Sequence, residues 1–133
     1  MPKDPADFPP RTEVLVIEDD EGVRTFLGIA LNEFDFGVTL QPSGKKAVEF
    51  YRTHHAQIDV VLLDVQISGM DGPATLAALK EINPGVRCCF MSGYTGAYTV
   101  EDLLGMGALM VFQKPFDSLS SLAQSLRGIA NGR

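Results

Sequence analysis

Short apolar runs in this chain stop at residues that can do chemistry, and that pattern leaves few folds open. Val14-Leu15-Val16-Ile17 runs into Glu18, Asp19 and Asp20, and Val60-Val61-Leu62-Leu63 runs into Asp64. Val86 to Met91 is followed by Ser92, and Leu109 to Phe112 leads through Gln113 to Lys114. These runs are nearly continuous in apolar residues rather than alternating, as strands buried on both faces are. A weaker run, Phe36 to Leu40, is punctuated by Pro42-Ser43-Gly44.

Between the runs lie longer stretches with apolar residues three and four apart, the spacing of a helical stripe. Val23, Phe26, Leu27, Ala30, Leu31 and Phe34 form the first; Ala47, Val48 and Tyr51 mark a second that ends near His54 or His55. Pro73 suits the first turn of a third helix, which continues through Leu76, Leu79 and Ile82. Asn83-Pro84-Gly85 stops it. A short fourth helix around Val100, Leu103 and Leu104 ends near Gly105 or Gly107, and Leu119, Leu122, Ala123, Leu126 and Ile129 form the last stripe.

Five strand–helix units predict an α/β, doubly wound, five-stranded parallel sheet covered by helices on both faces. The expected strand order is 2-1-3-4-5. At 133 residues the chain is one domain's worth, and 45% hydrophobic residues suffice for a core. The expected layout is a flexible Pro-rich leader over 1–10, the domain over 11–130 and a tail over 131–133.

Seventeen acidic against 11 basic side chains give a net charge of −6. That argues against a nucleic-acid surface, which needs clustered Lys and Arg, and against docking on an anionic membrane. No apolar run approaches the roughly 20 residues of a membrane span. The first ten residues lack the basic start and apolar stretch of a signal peptide. Cys88 and Cys89 are adjacent and poorly placed to bridge one another, so two free thiols and a cytoplasmic location are expected.

In a parallel sheet the chemistry gathers outside the carboxyl ends of the strands. Strand one beside strand three brings Asp19 next to Asp64, with Ser92 and Lys114 on the same edge. Clustered carboxylates repel one another unless a cation offsets them, and hard oxygen ligands suit Mg²⁺. Asp20 by itself reads as a helix cap or surface residue, and His54 and His55 as surface or C-cap groups. Neither a GxxxxGK[ST] loop nor a GxGxxG after strand one is present, so nucleotide and dinucleotide sites are unsupported.

The segments VLVIEDDEGVR, VVLLDVQISGMDG, CFMSGYTG and VFQKPF, in that order and at those separations, resemble the receiver domain of bacterial response regulators. The resemblance covers Glu13 to about Ile129. It implies that Asp64 is the phosphoacceptor and that Glu18 and Asp19 are the acidic pair, in a register set by Arg24. It further implies Mg²⁺ held by Asp19, Asp64, the backbone carbonyl of Gln66 and, through water, Glu18. Ser92 and Lys114 would contact the phosphoryl group, and Lys114–Pro115 would be a cis peptide. The implied donor is a phosphohistidine on a histidine kinase or histidine phosphotransfer protein. The implied output and dimerisation face is helix four, strand five and helix five; Tyr98 or Met106, if exposed, would be partner contacts there, with ordinary helix packing the weightier reading of both. The chain is then a phosphoacceptor that assists its own phosphorylation and dephosphorylation, not a conventional enzyme.

Three positions depart from the family. Val111 stands where an aromatic switch residue is usual, and Phe112 should not replace it because strand side chains alternate faces. Ile67-Ser68 replaces a usual Met-Pro pair. Gln66 and Tyr94 occupy positions that tune dephosphorylation, Tyr94 by restricting water. Two other readings compete: a phosphorylation-independent binding module of the same fold, favoured by Val111, and an Asp-nucleophile phosphohydrolase. The latter usually carries a second acid where Gln66 stands.

Overall fold

The computed structural model describes residues 11–93 and 98–132. The leader and Tyr94 therefore lie outside the described residues. The elements run β1 (Thr12–Ile17), α1 (Glu21–Glu33), β2 (Phe36–Gln41), α2 (Gly44–His54), a 3₁₀ turn (His55–Gln57), β3 (Val60–Asp64) and α3 (Gly72–Ile82). β4 (Cys88–Ser92), α4 (Val100–Gly105), β5 (Met110–Gln113) and α5 (Leu119–Ala130) complete them. The five strands form one sheet in the order β2-β1-β3-β4-β5, and every pairing is parallel. Two chemistry-bearing residues predicted just beyond a strand, Asp64 and Ser92, are the last residues inside it.

Each α-helix begins on a side chain that accepts a backbone N–H from its first turn: Asp20 for α1, Ser43 for α2, Asp71 for α3, Thr99 for α4 and Ser118 for α5. Such a cap satisfies a donor that the helix itself leaves free and is worth about 1 kcal/mol. At α4 the cap is reciprocal, because Asp102 also accepts the Thr99 N–H. That box supports a helix only six residues long. Asp71 sits in a segment that reads as loop, yet Asp71-Gly72-Pro73 is a start signal with proline inside the first turn.

The sheet separates two cores. On one side Leu15, Ile17, Val61, Leu63, Cys88 and Phe90 pack with residues of α2 and α3 and with Leu103 of α4. On the other, Val14, Val16, Val60, Leu62, Cys89 and Met91 pack with α1 and α5. Alternation along β4 sends the two adjacent free thiols into opposite cores. Burial pushes the Cys88 thiol well up and that of Cys89 up to about 12, so both stay protonated and inert. Gly72 is needed where α3 begins: a Cβ there would lie 2.7 Å from the Asp64 carbonyl oxygen and 2.8 Å from Val65 Cα.

One expectation needs correction. Phe26 belongs to the predicted α1 stripe but is 53% exposed, with Ile29 at 61%. Only Leu27, Ala30 and Leu31 of that helix are fully buried, because α1 presents a narrow seam to the sheet. Tyr98 and Met106 are half-buried against the α2–α3 core, the helix packing expected of them rather than exposed contacts. Tyr98 also donates its hydroxyl to Asp71 Oδ2 at 3.1 Å. Among the described residues, no helix is long and apolar enough to cross a membrane.

Candidate active site

Parallel register builds the site. β1 ends at Ile17, which lies opposite Leu63 of β3, so Glu18 and Asp19 leave the sheet beside Asp64. Asp64 in turn lies opposite Met91, the residue before Ser92. Ser92 lies opposite Gln113, and its carbonyl accepts the Lys114 N–H at 2.9 Å. Four loops thus deliver their polar ends to one edge.

Glu18, Asp19 and Asp64 each place a carboxylate oxygen within 4.8 Å of the others. Glu18 and Asp64 are buried, whereas Asp19 is exposed. Lys114 Nζ reaches across, 3.1 Å from Glu18 Oε1 and 3.4 Å from Asp64 Oδ2. The Asp20 N–H donates to Glu18 Oε2 at 3.2 Å. Arg24, one turn into α1, donates to the backbone carbonyls of Glu18 at 3.0 Å and Asp19 at 3.3 Å. Its guanidinium thus braces the turn that presents the acids.

Among the described residues the charges are out of balance: three carboxylates face one ammonium. Burial, hydrogen bonding to Asp64 and the Asp64 charge push Glu18 up to about 7, against the Asp20 N–H and Lys114. For Asp19 partial burial would raise the pKa, but hydrogen bonds from the Ser68 N–H and hydroxyl outweigh it and hold the group below its ordinary value. Desolvation would lower Lys114, yet the neighbouring carboxylates win and raise it. A site that protonates a buried glutamate near neutrality lacks positive charge, so the cluster suits a cation.

Ser92 adds a second sign of an absent group. It is 4% exposed, and its Oγ has no hydrogen-bond partner among the described residues. Buried hydroxyls are normally paired. An oxyanion entering beside Lys114 would supply the acceptor.

The receiver-domain pattern of response regulators matches residues 14–127. The chain belongs to the response regulator receiver family. The transcriptional regulatory protein ZraR of Escherichia coli K12 is 36% identical over 105 residues, 79% of this chain and 23% of that protein. The chain thus spans under a quarter of that relative's length. Sporulation initiation phosphotransferase F of Bacillus subtilis is 30% identical over 105 residues, 79% of this chain and 83% of that protein. A receiver domain from Clostridium thermocellum superposes with TM-score 0.84 at 20% identity, covering 90% of this chain and 94% of that one, and shows the shared fold. A chain of the Borrelia burgdorferi CheX–CheY–BeF3–Mg complex gives 0.81 at 26% identity, covering 89% and 88%.

The edge is a receiver phosphoacceptor site, with Glu18, Asp19 and Asp64 as the acidic cluster typical of Mg-dependent phosphotransfer to aspartate. Of the residues expected there, Glu18, Asp19, Asp64 and Lys114 converge directly, and Ser92 adjoins them through the sheet register. Gln66 is exposed; its N–H points at Asp64 Oδ1, 3.4 Å away. Asp20 caps α1, and His54, the last residue of α2, stacks on Phe50 at 4.2 Å ahead of the start of β3. Lys114–Pro115 is cis. Val111 packs with the α2–α3 core and Phe112 with the α1–α5 core, so the phenyl ring does not take Val111's place.

Beside the site a groove of about 540 Å³ is lined by Val23, Phe26, Lys114, Pro115, Phe116 and Leu119. It joins the exposed ring on α1 to the lysine of the acidic cluster. Ser68, read from sequence only as a departure from proline, is the contact that local reasoning missed. It hydrogen-bonds Asp19 from 49 residues away.

Proposed function

We propose that residues 11–130 form a receiver that takes a phosphoryl group from a phosphohistidine donor onto Asp64, with Mg²⁺ as cofactor. The carrying observation is the buried Asp64 carboxylate flanked by Glu18, Asp19 and Lys114. Asp64 Oδ attacks the phosphorus, the bond from phosphorus to the donor imidazole nitrogen breaks, and an aspartyl phosphate results. Such transfer needs positioning and charge neutralisation more than covalent assistance.

Glu18, Asp19, Asp64 and the Gln66 carbonyl would hold the metal. When bound, Mg²⁺ supplies the positive charge that offsets the incoming phosphoryl oxygens. Lys114 exchanges its contact with Asp64 Oδ2 for a phosphoryl oxygen, and the unpaired Ser92 hydroxyl donates to another. β4 and β5 already carry these two groups side by side. The domain then signals to an output partner, and the face of α4, β5 and α5 is the surface for that partner or for a second copy of the chain. The Mg²⁺ in the similar Borrelia burgdorferi CheX–CheY–BeF3 complex agrees with this choice of ion.

The test is intact mass after incubation with Mg²⁺ and acetyl phosphate. One added phosphoryl group is expected, absent in Asp64→Asn and without Mg²⁺. Hydrolysis can outrun detection, so beryllofluoride binding is measured alongside. If neither an adduct nor Mg²⁺-dependent beryllofluoride binding is found, the phosphorylation-independent module becomes the better reading.

A further inference from the structure

Ser68 stands where the resembling family usually has proline, and it makes contacts that proline cannot. Its backbone N–H and its hydroxyl both donate to Asp19 Oδ2, each at 3.1 Å. A proline has no N–H to give. The acceptor is one of the three clustered carboxylates, and the donor belongs to the loop that follows Asp64. One residue therefore ties together the two loops that carry the cluster.

Asp19 needs such a tie more than its neighbours do. Glu18 is 1% exposed and Asp64 6% exposed, so packing fixes both. Asp19 is exposed and would otherwise sample several rotamers, whose freedom must be given up when it ligands an ion. Two donors converging on one oxygen hold that carboxylate in a single orientation. Partners of this kind orient metal ligands and commonly change affinity by about 10–100-fold when removed.

We infer that Ser68 is a positioning residue for the metal site: it pre-orients Asp19 and so sets the affinity of this receiver for Mg²⁺. The inference rests on the reading of the cluster as a Mg²⁺ site. It makes residue 68 a determinant of metal affinity, with a proline-bearing site at the weaker end.

The test is calorimetric titration of the whole chain with Mg²⁺ at fixed pH, for wild type, Ser68→Thr, Ser68→Ala and Ser68→Pro. Melting temperatures without Mg²⁺ are taken in parallel. Loss of the hydroxyl in Ser68→Ala should raise the Mg²⁺ Kd severalfold, and loss of both donors in Ser68→Pro by about tenfold or more. Ser68→Thr keeps both donors and should stay near wild type. If wild type binds but Ser68→Ala and Ser68→Pro bind equally well or more tightly, the positioning role is wrong. If Ser68→Ala lowers the Mg²⁺-free melting temperature with affinity unchanged, the contact is structural and the inference falls. A wild-type chain that binds no Mg²⁺ overturns the functional reading itself, and the role of Ser68 with it.

Discussion

Glu18 is the residue whose state depends most on its surroundings. Its folded pKa of about 7 lies above the ordinary value of 4.5 because it is buried beside Asp64. The folded protein thus holds this proton more tightly than the unfolded chain does. The stability it contributes is complete below about pH 4.5 and is lost as pH rises through about 7. Asp19 is shifted the other way, so its contribution is lost only as pH falls below 3.8 towards its lower folded value. Lys114 is raised, and its contribution persists up to 10.5 before being lost as pH climbs through its folded value. Neither interferes near neutrality. The Mg²⁺-free melting temperature should therefore fall between about pH 5 and pH 7.5, and Glu18→Gln should flatten that fall. Equal slopes for the two proteins would contradict the assignment. Mg²⁺ should bind more tightly across the same interval, since it competes with the Glu18 proton; an affinity independent of pH would count against Glu18 facing the ion.

Among the elements, α1 and α4 show what sequence patterning carries and what it omits. The α1 stripe announces a helix and its inner face, but periodicity does not report the width of the seam. Phe26 sits at the stripe's edge, where the sheet stops and the groove beside Lys114 begins. On the proposed function a protein donor brings its phosphohistidine to Asp64, so its body would rest on this sheet edge, next to that ring. Phe26→Ser should cut transfer from a phosphohistidine protein by about tenfold or more, the usual weight of a central aromatic anchor. Phosphorylation by acetyl phosphate should be unchanged, because a small donor needs no docking. Equal losses with both donors would place the defect in the site instead. α4 carries the opposite lesson. Its two ends are held by α3: Tyr98 bonds Asp71 at the α3 start, and Lys80 from the last α3 turn bonds the Met106 carbonyl. Gly107, at φ 104°, leaves room for that lysine. These partners are 26 and 27 residues apart, so no local spacing signals them. The strand-end acids were legible for the converse reason. Asp64 and Glu18 each abut an apolar run, and parallel pairing converts that one-dimensional fact into proximity.

At the scale of the whole molecule, the sheet is a partition as well as a scaffold. Its central strands are apolar on both faces, which is why the runs lack alternation and why a doubly wound fold could be read from them. The assignment of each side chain to a face follows from alternation alone, as Cys88 and Cys89 and again Val111 and Phe112 demonstrate. What patterning leaves out is the energetic independence of the two layers. Ile17 is wholly buried on the α2–α3 side, and Ile129 is buried on the α1–α5 side. They belong to different clusters and share no packing partners in them. Trimming one methylene from either should cost about 0.5–1.5 kcal/mol, through lost transfer free energy and the small void left behind. Distant sites without shared partners add to within about 0.5 kcal/mol. Ile17→Val and Ile129→Val together should therefore lower the urea-unfolding free energy by the sum of their separate effects, with an unchanged denaturant slope. A large coupling between them would mean that the sheet transmits packing strain from one layer to the other. Occupancy of the acidic edge, which adjoins the end of β1 just past Ile17, would then be felt on the α1–α5 side as well.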